Sequence, residues 1–105
     1  MDWASVSAAG CGLRGVEPST SYGRPALKVK GKSIACTGRT DDHFVLMLDL
    51  ERVAFLMAME PETFFQTPHY VGWPAVLVRY AALPVGELPA LLQEAWARRV
   101  PKGWL

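Results

Sequence analysis

The stretch Thr20-Ser21-Tyr22-Gly23-Arg24-Pro25-Ala26-Leu27-Lys28-Val29-Lys30-Gly31-Lys32-Ser33-Ile34-Ala35-Cys36 alternates as a β-hairpin does. Leu27 and Val29 are apolar and Lys28 and Lys30 charged, and beyond Gly31-Lys32 the apolar Ile34 and Cys36 are again one residue apart. A two-residue type II′ turn at Gly31-Lys32, with glycine first, is the expected connection. It sets Lys30 against Ser33, Val29 against Ile34 and Leu27 against Cys36. In that register the four apolar side chains share one face and Lys28 and Lys30 the other, with Lys32 at the tip and Arg24 near the base. A slip of one residue would reverse every side chain, so the apolar pattern specifies the register.

Working outward, Asp2 is placed to cap a helix through Trp3, Val6, Ser7 and Gly10 that stops by Gly15. Residues 17–20 connect it to the hairpin. Thr37 to His43 reads as a polar loop, and Phe44 to Leu48 as a third strand with neither side fully wet. Asp49 caps a helix from Leu50 to about Glu60, with Val53, Leu56 and Met57 at helical spacing, and Pro61 ends it. Phe64 to Thr67 reads as a short strand, residues 68–74 as a turn-rich aromatic loop, and Val76 to Tyr80 as a strand. Leu88, Leu91, Leu92, Ala95, Trp96 and Val100 form the stripe of a closing amphipathic helix. The order is helix, three strands, helix, one or two strands, helix. This predicts an α+β two-layer domain, a mainly antiparallel sheet with helices packed on one face.

The 105 residues leave room for one modest core, so a single domain over residues 1–105 is expected. The longest apolar run, Val53 to Met59, is far short of the ~20 residues a spanning helix needs, which excludes a transmembrane segment of that kind. Asp2 stands where a secretory signal carries basic residues, so a cytoplasmic protein is expected. Cys11 and Cys36 form no Cys-x-x-Cys pair and, with His43 and His69, lack zinc spacing. Buried free thiols, no metal and no cofactor are the expectation. There is no nucleophile signature, glycine-rich phosphate loop or paired-carboxylate pattern, so a protein that is not an enzyme is expected. The one enzymatic alternative requires a cysteine close to His69.

The net charge of +1 hides a segregation. Arg24, Lys28, Lys30, Lys32 and Arg39 give residues 18–40 a charge of +5 with no acid. Residues 41–62 hold Asp41, Asp42, Asp49, Glu51, Glu60 and Glu62 against Arg52 alone, giving −5. Cations on a projecting hairpin can contact several phosphates even in a nearly neutral protein, because screening makes the attraction local. In the plainest reading the same lysines only solvate the hairpin and guard an edge strand. Phe64, Phe65, His69, Tyr70 and Trp73 crowd the following loop, where exposed rings can stack on bases or wall a pocket. Two site readings follow. In one, Arg24, Lys28, Lys30 and Lys32 contact DNA phosphates with Tyr70 or Trp73 stacking. In the other, Tyr22, Arg24, His69 and Tyr70, with Trp73, form a protein- or anionic-ligand-binding pocket in which Arg24 receives the anion.

The segments Ser19 to Lys32, Pro61-Glu62-Thr63-Phe64-Phe65-Gln66-Thr67-Pro68-His69-Tyr70, Gly72-Trp73-Pro74-Ala75-Val76-Leu77-Val78, and Ala95-Trp96 with Pro101-Lys102 resemble the MmcQ/YjbR family, in family order from about Val16 to Lys102. The resemblance implies a CyaY-like (bacterial frataxin-like) α+β topology with two projecting β elements, a double wing, and DNA binding. It places the first wing at Ala26 to Thr37 and the second at Phe64 to Val78, and it brings no catalytic residues. The sequence departs from the family pattern at Ser33, at the small-residue first helix, and at Gly86 and Pro89 near the last helix. With no overall basic excess, the expected partner is DNA bound weakly and salt-dependently by a monomer or weak homodimer, away from membranes.

Overall fold

Two tight turns with the same backbone shape build the first half of the sheet. The computed structural model describes residues 1–105. Tyr22 and Gly23 have φ of 52° and 78°, and Lys30 and Gly31 have φ of 54° and 76°. Positive φ at both central residues is the type I′ geometry, whose twist matches that of the strands it joins. The first turn links β1 (Val16–Ser21) to β2 (Arg24–Val29), and the second links β2 to β3 (Lys32–Thr37). β4 (His43–Met47) completes an antiparallel meander.

Two sequence expectations are corrected here. The second turn is centred on Lys30-Gly31, not Gly31-Lys32, so Val29 pairs with Lys32. A β-bulge then shifts the register, pairing Lys28 with Ser33, Leu27 with Ala35 and Ala26 with Cys36, and leaving Ile34 as the extra residue. Leu27, Val29 and Ile34 do share the main core, but Cys36 joins Ala26 in a second cluster on the opposite face. The other correction concerns Glu17 to Thr20, which are strand and not connection. β1 covers the outer side of β2, so the lysine hairpin lies inside the sheet and guards no edge.

α2 (Leu50–Met59) follows β4, capped by the Asp49 carboxylate, which accepts from the Arg52 N–H at 2.8 Å. The chain then places the short β5 (Phe64–Phe65) at the far edge and returns as β6 (Ala75–Arg79) between β4 and β5. The order is β1-β2-β3-β4-β6-β5, every neighbouring pair antiparallel. α1 (Trp3–Gly10) and α3 (Leu88–Ala97) pack on each other, and all three helices bury apolar residues in the cluster on one face of the sheet. The predicted stripe of α3 holds: Leu88, Leu91, Leu92, Ala95 and Trp96 are all buried. The result is the two-layer α+β arrangement, with the second sheet face free of helices. No helix is long and apolar enough to cross a membrane.

Candidate nucleic-acid interface

The corrected register decides where the predicted cations go. Arg24, Ala26 and Lys28 alternate onto the helix-free face of β2, and Ala26 lies in the cluster on that face. Lys28 faces Glu17 across the strand pair, without forming an ion pair. Among all lysines and arginines, Arg52 alone is ion-paired, in a two-point contact with Glu94 at 2.9 Å. Lys30 does not join Lys28 as expected. Its left-handed backbone turns the side chain toward the C-terminal turn, with Nζ 5.4 Å from the centre of the Trp104 ring. Arg14 lies over the same ring at 4.1 Å, and Lys102 belongs to the same short 3-10 turn, Lys102–Trp104. Lys32, exposed, flanks the β-turn. The structure thus forms a basic end from Arg14, Lys30, Lys32 and Lys102, and sets Arg24 and Lys28 on the open face. Arg14, Lys102 and Trp104 were missed in the sequence because the chain brings them together from opposite termini.

The aromatic loop is held by one side chain. The Gln66 amide nitrogen donates to the carbonyls of Ala75 at 2.8 Å, Tyr70 at 3.1 Å and Trp73 at 3.4 Å. This folds the 3-10 turn Pro68–Tyr70 against the open face, where Tyr70 packs against the cluster formed by Ala26, Cys36, Val45, Ala75 and Leu77. Burial pushes the Tyr70 phenol up from its ordinary pKa, and the charges of Arg24 and Arg39 oppose this. Trp73 keeps 61% of its surface exposed and is available for stacking. His69 is exposed and meets Tyr70 edge-on at 4.9 Å. Of the proposed ligand set, Arg24 and Tyr70 lie on the same open face, whereas Tyr22 projects from the β1–β2 turn fully exposed. Tyr22 walls nothing.

Cys36 is buried in the same cluster, and burial pushes its thiol up, against the lowering influence of Arg24. A protonated buried thiol is a poor nucleophile. Cys11, against the expectation of a buried thiol, is exposed just past α1, where the chain leaves the helix. No three His, Cys, Asp or Glu side chains gather where they could hold a metal ion. His43, which the sequence marked only for its lack of metal spacing, is buried at the start of β4, with Nδ1 2.7 Å from an Asp42 carboxylate oxygen. Thr40 donates to that same carboxylate, and these two hydrogen bonds hold Asp42 below the usual carboxylate range. Gly38 lets the imidazole lie close: a Cβ there would stand 2.3 Å from Nε2.

A family model for YjbR matches residues 11–98. The chain belongs to the YjbR family. Among its relatives are uncharacterised proteins of Mycobacterium tuberculosis and Mycobacterium bovis, 51% identical over 47 residues. That match covers 45% of this YjbR chain and 36% of the length of those relatives. No solved structure matches. The YjbR match takes in β1 to β6 and α3, and so every predicted cation and aromatic of the interface.

Proposed function

We propose that this YjbR-family protein is a non-enzymatic nucleic-acid-binding protein that contacts phosphates weakly through the β2–β3 hairpin. One observation carries the reading: Arg24, Lys28, Lys30 and Lys32 lie on one hairpin, and none has a carboxylate within ion-pairing distance. Unpaired cations that neutralise phosphates displace the counter-ions condensed on the nucleic acid, which is the main source of sequence-independent affinity. Arg24 and Lys28 share a face four residues apart, or ~13 Å at the rise of a strand, enough to track several phosphates of one DNA strand. Trp73 is the stacking candidate, since Tyr70 is engaged with the sheet. The nearly neutral whole keeps binding weak.

Fluorescence anisotropy of a labelled duplex and a labelled single strand at several salt concentrations tests this. With about three phosphates engaged, log affinity falls against log salt with a slope near −3, by the rule of about −0.9 per contact. Reversing charge at Lys28 and Lys32 (Lys28→Glu/Lys32→Glu) abolishes binding while the fold persists. Unchanged binding by that folded variant rejects the reading.

A second reading, an anionic small ligand held between Arg24 and Tyr70, is favoured by the open face they share, where Tyr70 packs on the cluster containing Ala26. Phosphate or citrate titrated by NMR then shifts Tyr70 and Arg24, and Arg24→Ala removes the effect; shifts spread evenly over all cations reject it.

A further inference from the structure

At one end of the sheet, away from the basic turn, a cleft of about 570 Å³ opens where the N-terminus of α1, the start of β2, the β3–β4 loop and the end of β6 meet. Its volume falls within the range of small-molecule sites, ~300–1,000 Å³. Asp2, Trp3, Pro25, Asp41, His43 and Tyr80 supply most of its wall. Two of these carry polar atoms that the fold leaves unused. Tyr80 is 8% exposed, and its ring stacks on Phe44 at 5.4 Å, but its hydroxyl has no hydrogen-bond partner in the protein. His43 is also 8% exposed; Asp42 takes its Nδ1, while Nε2 has no partner. Neither atom is sealed from solvent, so each is free to hydrogen-bond an occupant of the cleft.

The chemistry of that occupant follows from the donors and acceptors present. Asp42 against Nδ1 places the proton of a neutral imidazole there, which makes Nε2 an acceptor. Asp2 uses one carboxylate oxygen to accept from the Ser5 N–H and hydroxyl, both at 3.0 Å, leaving the other oxygen free. The Met1 ammonium partly offsets its charge. Asp41 is exposed and makes no hydrogen bond or ion pair. The charges that act on the Tyr80 phenol are both carboxylates, Asp2 and Asp41, whereas arginines act on Tyr70. The cleft therefore offers two carboxylates, an imidazole acceptor and a phenol oxygen beside the rings of Trp3 and Tyr80. Anions are repelled, and a neutral ligand leaves the carboxylates unpaired. A cation can use all of these groups, since ring faces attract cations as well.

We propose that this cleft binds a small organic cation, a primary ammonium or a guanidinium, seated between Asp2 and Asp41 with its N–H groups on His43 Nε2 and Tyr80 Oη. The test is an NMR titration of the full chain with 1,4-diaminobutane, following the Trp3 indole, His43 and Tyr80 signals. N-acetyl-lysine methylamide and ethylguanidinium serve as further probes, and glutarate as the anionic control. The expected result is saturable shifts at those three residues with either ammonium probe or the guanidinium, and none with glutarate. The tighter of the diamine and the lysine derivative tells whether the cation is free or presented on a peptide.

Asp2→Asn/Asp41→Asn keeps the α1 cap, because asparagine caps as well as aspartate, and removes both charges. It weakens binding at least ~10-fold, the loss expected for a charge-assisted hydrogen bond. Tyr80→Phe retains the ring and its packing and weakens binding ~3- to 10-fold, as for one neutral hydrogen bond. No saturation, shifts confined to other acidic surfaces, or an unchanged constant in the folded Asp2→Asn/Asp41→Asn variant overturns the proposal.

Discussion

Tyr22 and Lys30 hold left-handed backbones that cost a side-chain-bearing residue about 1–2 kcal/mol. Lys30 recovers part of this through the Trp104 ring, but Tyr22 is fully exposed and recovers nothing by packing. Tyr22→Asn, which turns the first turn into the preferred Asn-Gly, is expected to stabilise the protein by about 0.5–1 kcal/mol, read from the midpoint of chemical denaturation. A lower midpoint would show that the exposed ring contributes contacts absent from the static fold. Tyr80 makes a second prediction. Its phenol is pushed up to about 12, first by burial and then by the carboxylates of Asp2 and Asp41. Because the folded value lies above the ordinary ~10 of an unfolded tyrosine, the neutral phenol's contribution is complete below about pH 10 and lost as pH rises toward 12. A spectrophotometric tyrosinate titration should show ionisation that extends toward pH 12 and is lost in Tyr80→Phe; a high-pH limb unchanged in Tyr80→Phe would contradict this.

Helices reach the sheet through specific close approaches. At Gly10, in the last turn of α1, an added Cβ would stand 2.4 Å from Leu27 Cδ1, and Leu27 is fully buried. Two effects compete in Gly10→Ala: helix propensity favours alanine by about 1 kcal/mol, while overpacking a filled core costs about 1–3 kcal/mol. The clash is expected to win, giving net destabilisation of up to about 2 kcal/mol by thermal or chemical unfolding, and a gain in stability would mean that Leu27 has a free rotamer. The helices were legible in the sequence because their signals are local: Asp2 and Asp49 cap where expected, and the α3 stripe is a periodic run. β1 was not legible. It is an edge strand with Pro18 and a single buried residue, Val16, so it lacks the apolar alternation that marks a half-buried strand. The turn register failed for another reason. Glycine on either side of a two-residue turn reads plausibly, and the bulge at Ile34 absorbs the difference without disturbing the apolar count. The interface suffered accordingly: the hairpin's cations were found, but their division between open face and basic end depends on that register, and the cleft joins residues from four segments.

Across the whole molecule, charge is arranged rather than accumulated. The basic turn with Arg14 and Lys102 stands at one end of the strands and the cleft with Asp2 and Asp41 at the other, where Arg24, next to Pro25 of the cleft wall, is the one proposed DNA contact. If each end works as proposed, added diamine and DNA occupy the protein together, and saturating diamine changes the DNA midpoint by less than ~3-fold beyond the effect of its own ionic strength. Competition larger than that would place both ligands on one surface. The strand order has a consequence in time as well as space. β1 to β4 each pair with their sequence neighbour across short connections, while β6 must find its place between β4 and β5 after the chain has passed through α2. Closing short hairpins takes about 1–10 μs, and longer closures are slower. The meander is therefore the expected nucleus of folding and the β6 insertion its late step: Tyr22→Asn should speed refolding, whereas Leu77→Ala on β6 should leave refolding nearly unchanged and hasten unfolding.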